Sequence, residues 1–318
     1  MNSTFEDHKA PNGIGNNRVM AQSRIKLTNS SSGKLMPAAP ENAVRLSSAN
    51  LGWRGLDVEL HNLAPTEMPE HRIECHRLMI ATGKPVRFEW KTGGRWQHKQ
   101  FAIGDFSLQT NNDLNEPRWT GDLEIIAVAL EPRFVERIFQ DSVQSDRIAF
   151  QEQRCESDAT IARFARHFRD EMENPIYEGQ LYGESLAMAF SLHLLERYGD
   201  FAGKLKLPHG KLASVNLRRA LEFIHANLAE DLSIEAIARE SFLSAFHFAR
   251  LFKNTVGLTA HQYVLNSRIE RAMRLIKTAP SLSLTEIGLS VGFFDSAHFT
   301  KTFKRATGAT PKDFYKQA

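Results

Sequence analysis

The chain has 318 residues, with 40 lysines and arginines against 37 aspartates and glutamates and a formal net charge of +3. It holds no run approaching the roughly 20 apolar residues a bilayer crossing needs, Met1 to Asp7 lack the basic and then apolar order of a secretory signal, and Cys75 and Cys155 can form at most one bridge and fit no zinc spacing. Membrane and secreted classes are set aside, and the expectation is a soluble, cytoplasmic protein with reduced thiols and no metal or other cofactor.

Residues 1–43 are rich in Asn, Ser, Gly and Pro, as in Thr28 to Gly33, and predict a disordered tail because they offer little apolar surface to offset ordering entropy. From Leu56 to Leu130, short runs alternate with period two, such as Leu56, Val58, Leu60 and Val86, Phe88, Trp90. Gly83-Lys84-Pro85, Thr92-Gly93-Gly94, Gly104-Asp105 and Gly121-Asp122 punctuate them, which predicts an antiparallel barrel or sandwich. After Pro132 the period becomes helical, with helices expected near Arg133 to Phe139, Asp158 to Met172 and Gln180 to Tyr198. The last of these offers Leu181, Leu192 and Leu195 for a homodimer contact or for core packing. The division expected is a tail over 1–43, a β-rich domain with following helices over 44–200, a linker over 201–213 and an all-α domain over 214–318.

That last domain carries an internal repeat. Leu232, Ser233 and Ile237 recur as Leu282, Ser283 and Ile287; after one inserted residue, His247-Phe248, Phe252-Lys253, Gly257 and Thr259 recur as His298-Phe299, Phe303-Lys304, Gly308 and Thr310. Each copy spells a helix-turn-helix, and two reading heads at a fixed spacing suit successive major grooves of double-stranded DNA. From His209 onward, 15 lysines and arginines face 9 acidic residues, whereas residues 1–208 carry 25 against 28, so the positive surplus lies with the repeat and can attract phosphate.

Ser233 and Ser283 are expected to cap the first helix of each head, the latter in a capping box with Glu286, and Ser244 and Asp295 the second. Helical spacing places Phe248, Leu251, Phe252, Phe299 and Phe303 inward. On the outer sides it places Phe246, Ala249, Arg250 and Lys253 in the first head and Ala297, Thr300, Lys301 and Lys304 in the second. Small residues beside a long cation suit close approach to base edges, with Arg250 or Lys301 donating to guanine O6 and N7. Lys253, Lys304, Arg305, His247 and His298 are the expected phosphate contacts. A second capping box, Thr259 with Gln262, and the stripe Leu265, Ile269, Ala272, Met273 and Ile276 predict a connecting helix down to Thr278, roughly 30 Å long against ~34 Å between groove turns.

These residues resemble the AraC/XylS family of bacterial transcription regulators over about the last 100 positions. The resemblance rests on Leu217-Arg218-Arg219 with Ile224, on Ser244 through Lys253, on Arg268 with Ala272, and above all on Gly292-Phe293-Phe294-Asp295-Ser296-Ala297-His298-Phe299 followed by Phe303-Lys304 and Gly308-Ala309-Thr310-Pro311. It implies a DNA-binding regulator, commonly an activator, that contacts RNA polymerase. By motif position it assigns base-facing slots to Phe246, Ala249 and Arg250 in the first head, and to Ser296, Ala297, Thr300 and Lys301 in the second. One departure is Phe242 where the family has glycine in the first turn; a bulky residue resists positive φ, so the first head is expected to turn differently. Lys301, where arginine is frequent, replaces a bidentate fork by a point donor.

By pattern the N-terminal half is similar to the family's cupin-type, jelly-roll-like sensor. The fold class expected is α+β in two domains: an antiparallel β-barrel with following helices, then two helix-turn-helix motifs joined by a long helix. The barrel interior, toward which Trp90, Trp96, Phe101 or Phe106 can point, either binds a small organic effector or is packed. The alternative is a cupin-like metalloenzyme with an appended DNA module, resting on Glu70, His71 and His76. Their spacing does not match the usual ligand pattern, and on one strand from Glu70 to Ile80 the two histidines would face opposite sides. A methyl-acceptor repair protein, which can carry such a DNA-binding region, would need more cysteines than two.

Overall fold

The computed structural model describes residues 23–110, 117–139, 142, 148–175, 179–200, 209–279 and 281–317. Residues 1–22 of the expected tail and 201–208 of the expected linker lie outside them.

The N-terminal half contributes strands β1 (Lys26–Asn29), β2 (Leu35–Pro37), β3 (Val44–Ser47), β4 (Leu56–Leu63), β5 (Thr66–Glu67), β6 (His71–Arg72) and β7 (His76–Ala81). After them come β8 (Val86–Thr92), β9 (Arg95–Phe101), β10 (Asp105–Gln109), β11 (Arg118–Trp119), β12 (Leu123–Leu130) and β13 (Gln153–Ser157). They form three sheets, ordered β13-β10-β7-β12-β4-β3, β5-β11-β8-β9 and β2-β1-β6; of the barrel or sandwich expected from the alternation, a single closed barrel is not formed among the described residues. Residues 23–43, expected in the tail, are partly in the fold. Ile25 and Leu27 alternate into the core, and Ser30 to Lys34 form the turn of a hairpin whose β1 pairs with both β2 and β6. The low apolar content of this segment concealed its few buried residues.

The six-stranded sheet is buried on both faces. One face joins Phe88, Phe101 and Trp119 of the four-stranded sheet in a first core. The other, with Val58, Leu78, Ile80, Leu108 and Ile126, packs on α1 (Pro132–Phe139), α2 (Ala159–Glu173) and α3 (Gln180–Tyr198). Asp158 caps α2 through the Thr160 and Ile161 amides; burial pushes its carboxyl up, but bonds from His193, the Ile161 amide and Tyr198 outweigh that and hold it at about 2.

The C-terminal half consists of α4 (Ser214–Ala226), α5 (Ile234–Glu240), α6 (Ala245–Val256), α7 (Ala260–Thr278), α8 (Leu284–Ser290), α9 (Ser296–Thr307) and α10 (Pro311–Gln317). The first head, α5 and α6, shares one continuous core with α1 to α3, whereas the second, α8 and α9, has its own around Ile269, Ile276, Ile287, Phe299 and Phe303. Of the leucines offered for a homodimer contact or for core packing, Leu181 and Leu195 of α3 are buried inside this chain with Leu186, Phe190 and Leu194, and Leu192 is half-buried against the same core. Among the described residues no helix is long and apolar enough to cross a membrane.

Candidate nucleic-acid interface

The two heads repeat one backbone. α5 and α8 each begin after a serine whose hydroxyl accepts an amide three residues on, Ala236 for Ser233 and Glu286 for Ser283. At the turn, the Leu243 amide donates to the Ala238 carbonyl and the Phe293 amide to the Gly288 carbonyl, at 3.2 and 3.0 Å, while Phe242 and Gly292 each donate to the carbonyl three residues back. Both second helices run twelve residues and end on a left-handed glycine, Gly257 at φ 81° and Gly308 at φ 82°, where side chains are disfavoured. Thr259 and Gln262 form the expected capping box on α7.

The first turn does not differ as expected. Phe242 adopts φ 54°, the same left-handed region as Gly292 at φ 95°. Its ring stays 77 % exposed with the Arg219 guanidinium over it at 4.9 Å, so the helix-turn-helix frame sets the backbone and the phenylalanine bears the strain. Gly292 has a further constraint: a Cβ there would lie 2.4 Å from the Leu228 carbonyl oxygen.

Arg268 on α7 ties the heads together. It donates from Nε to the Leu228 carbonyl at 2.8 Å and from Nη2 to the Glu230 carbonyl at 2.7 Å, in the loop before α5, and lies against Gly292 of the second turn. Burial pulls its pKa to about 10, which leaves it charged at neutral pH.

Ala249, Arg250 and His247 are half-buried on α6, and Lys253 is exposed at its end; Ser296, Ala297, Thr300, Lys301, Lys304 and Arg305 lie exposed along α9. Two residues expected to face DNA do not. Phe246 is 3 % exposed, its ring 4.8 Å from Phe139 of α1. His298 is 8 % exposed, with its ring 5.2 Å from that of Phe293. Helical projection shows which side of its own motif a residue occupies, not whether another element covers that side.

The N-terminal half grips both heads. Arg137 pairs with Glu235 at 2.5 Å, and buried Glu184 of α3 accepts the Ile234 amide at the start of α5 at 2.8 Å. On the second head, the Lys301 ammonium donates to the Asn174 and Pro175 carbonyls, each at 2.9 Å. These contacts join residues far apart in the chain, and no local pattern announces them.

The metal alternative loses its geometry. His71 lies in β6, paired with β1, and its Nδ1 lies 3.0 Å from the Pro69 carbonyl, whereas His76 lies in β7 of the six-stranded sheet beside Phe150; the single strand expected from Glu70 to Ile80 is two. Among the described residues no group of three or more histidines, cysteines, aspartates or glutamates could hold a metal ion. Of the aromatics considered for the interior, Phe101 and Trp90 belong to the first core, Phe106 packs on the helical side, and Trp96 is exposed beneath Arg118.

A family model described as a helix-turn-helix domain matches residues 237–317. The chain is 34% identical over 96 residues to the Msm operon regulatory protein of Streptococcus mutans, a match covering 30% of this chain and 34% of that one. It is 31% identical over 136 residues to the HTH-type transcriptional regulator ArgR of Pseudomonas aeruginosa, covering 42% and 41%, and 29% identical over 152 residues to the arabinose operon regulatory protein of Escherichia coli, covering 46% and 51%. The matches thus span a third to a half of these relatives' lengths. The duplicated turn and the matches together define a tandem helix-turn-helix module. Over this segment the chain is similar to bacterial operon regulatory proteins that carry a helix-turn-helix domain.

Proposed function

We propose that the protein is a sequence-specific transcription regulator, an activator, whose two heads read adjacent major grooves of double-stranded DNA and whose N-terminal half senses a small organic effector. The observation that carries the DNA reading is the duplicated backbone of the heads with Arg250 and Lys301 at equivalent positions. Ala249, Arg250, Ser296, Ala297, Thr300 and Lys301 contact base edges, and His247, Lys253, Lys304 and Arg305 contact phosphates. α7, nineteen residues long, spans about 28 Å at ~1.5 Å per residue, close to one groove repeat. Phe246 joins the base-facing set only if α6 leaves α1. RNA polymerase is the protein partner that the resemblance to AraC/XylS regulators suggests, and a homodimer would use a surface other than the buried face of α3.

The effector reading is supported by the grip on the heads: Phe246 is covered and Lys301 is engaged by the N-terminal half, so a ligand that alters that half can alter access to both. The test is binding to duplexes selected from a random pool. Arg250→Ala is expected to lose about 1–3 kcal/mol of base discrimination at one position, and Lys304→Ala to weaken all sequences alike and lower the salt slope by about one. If neither variant changes DNA affinity, the assignment of the heads is wrong.

A further inference from the structure

The inner face of the six-stranded sheet is read row by row from its register. At one end, Asp57, Ala129, Arg77 and Gln109 stand side by side on β4, β12, β7 and β10; the next row holds Glu59, Ala127, Met79 and Ser107. All six residues of β7 are buried, and Arg77, at 2 % exposure, is the outlier in an otherwise apolar run from Leu78 to Ala81. Its guanidinium makes no hydrogen bond or ion pair with the described residues, and its Nε is sealed from solvent. Beside it, Gln109 is equally buried with both amide atoms unpaired. Buried charges and amides are ordinarily paired because desolvation is costly.

Glu59 is the carboxylate whose charge acts on Arg77, and it is already committed. It accepts from the Ser23 hydroxyl at 2.7 Å and the Arg24 amide at 2.6 Å, and its Oε2 lies 2.7 Å from His61 Nε2. It lends Arg77 a field but no bond. A cleft of about 470 Å³ opens at this end of the sheet, lined among others by Arg24, Asp57, Cys75 and Ala129; Arg77 and Gln109 are not part of its lining, so a ligand must displace some of that wall to reach them. Ala129 is the register neighbour of Arg77, one strand away, and the alanines at 127 and 129 leave the row beside it low.

We propose that this end of the sheet binds a small organic monocarboxylate, with the carboxylate on Arg77 and the Gln109 amide and the body over Ala127, Ala129 and Met79. The guanidinium fork matches a carboxylate geometrically. The Gln109 amide offers one donor and one acceptor whichever way it is turned, which favours acids bearing a hydroxyl beside the carboxylate. Asp57 and Glu59 repel a second negative charge. This rests on the reading of the N-terminal half as an effector sensor and names the chemistry of that effector.

The test uses the full chain without DNA, so that it stands or falls apart from the DNA reading. Sodium acetate, L-lactate and benzoate at 10 mM are compared with sodium chloride of equal ionic strength by thermal unfolding and titration calorimetry. At least one acid is expected to raise the midpoint by several degrees over chloride, and its affinity to fall at least tenfold in Arg77→Met and in Gln109→Leu. Arg77→Met, of similar length and apolar, is expected to fold with an unliganded midpoint no lower than the parent. The proposal is overturned if no acid exceeds chloride, if the shift survives Arg77→Met, if chloride or inorganic phosphate alone reproduces it, or if Arg77→Met unfolds while Gln109→Leu binds normally.

Discussion

Arg268 gives the sharpest test of how the heads are held. Replacing it with methionine keeps the stem and removes both donors, at 2.8 and 2.7 Å from the Leu228 and Glu230 carbonyls. Hydrogen bonds from charged groups contribute about 1.5–3 kcal/mol each. Because Arg268 is only half-buried, water can replace part of the loss, and the expected total is about 3 kcal/mol. The functional effect is larger than the stability effect suggests, because a loosened joint lowers the effective concentration of the second head once the first is bound. Affinity is measured by fluorescence anisotropy on a duplex with both groove sites and on one with a single site, well below the unfolding midpoint. The ratio of the two affinities is expected to fall about tenfold or more, with single-site binding nearly unchanged; Arg268→Lys, which keeps the charge but not the fork, should fall between. Equal loss on both duplexes, or no change in the ratio, would refute the role given to this residue.

Phe242→Gly removes left-handed strain of about 1–2 kcal/mol at the cost of backbone entropy, and since the ring buries little, a net gain of about 0.5 kcal/mol in urea unfolding is expected; a loss would mean that the Arg219 contact outweighs the strain. Gly292→Ala places a methyl group 2.4 Å from the Leu228 carbonyl oxygen, whereas a Cβ at Gly257 meets nothing within 4 Å. The first is expected to cost about 3 kcal/mol or more and the second about 1 kcal/mol, and equal losses would show that the turn relaxes freely. Burial lowers the pKa of His76 to about 4 and that of His261 to about 3. Both imidazoles bind protons more readily in the unfolded chain, so stability is nearly complete above about pH 7 and falls as pH drops through 6.5 toward the folded values, by about 2 kcal/mol per histidine at pH 5. Denaturant titrations at pH 7 and 5 check this. An undiminished drop in His76→Phe would place its source elsewhere.

Much of the C-terminal half was legible because its signals are local. The caps at Ser233, Thr259, Ser283 and Asp295, a positive-φ glycine after each second helix and the stripe on α7 lie within a few residues of the structure they specify, whereas Ser244, expected to cap α6, makes no capping hydrogen bond; the expected helix from Gln180 to Tyr198 matched α3 end to end. What escaped depends on partners distant in sequence. Phe246 reads as outward until α1 is laid across it, and the pairing of β1 with β6 joins residues more than forty positions apart. Phe242 shows the opposite override: its own preference is against the turn, and the surrounding hydrogen bonds, the same as in the second head, prevail. Arg77 was passed over because alternation marks where a strand is, not whether the one charged residue on its inner face has an acceptor.

The hold on Lys301 is made by carbonyl oxygens of the main chain at Asn174 and Pro175, not by side chains. Substitutions at positions 174 and 175 therefore leave its acceptors in place, and a mutational scan of the N-terminal half would pass over them silently. Only a change in the path of the chain leaving α2, or in the lysine itself, reaches this fastening, so variants freed from it should arise there as insertions and deletions rather than as point changes.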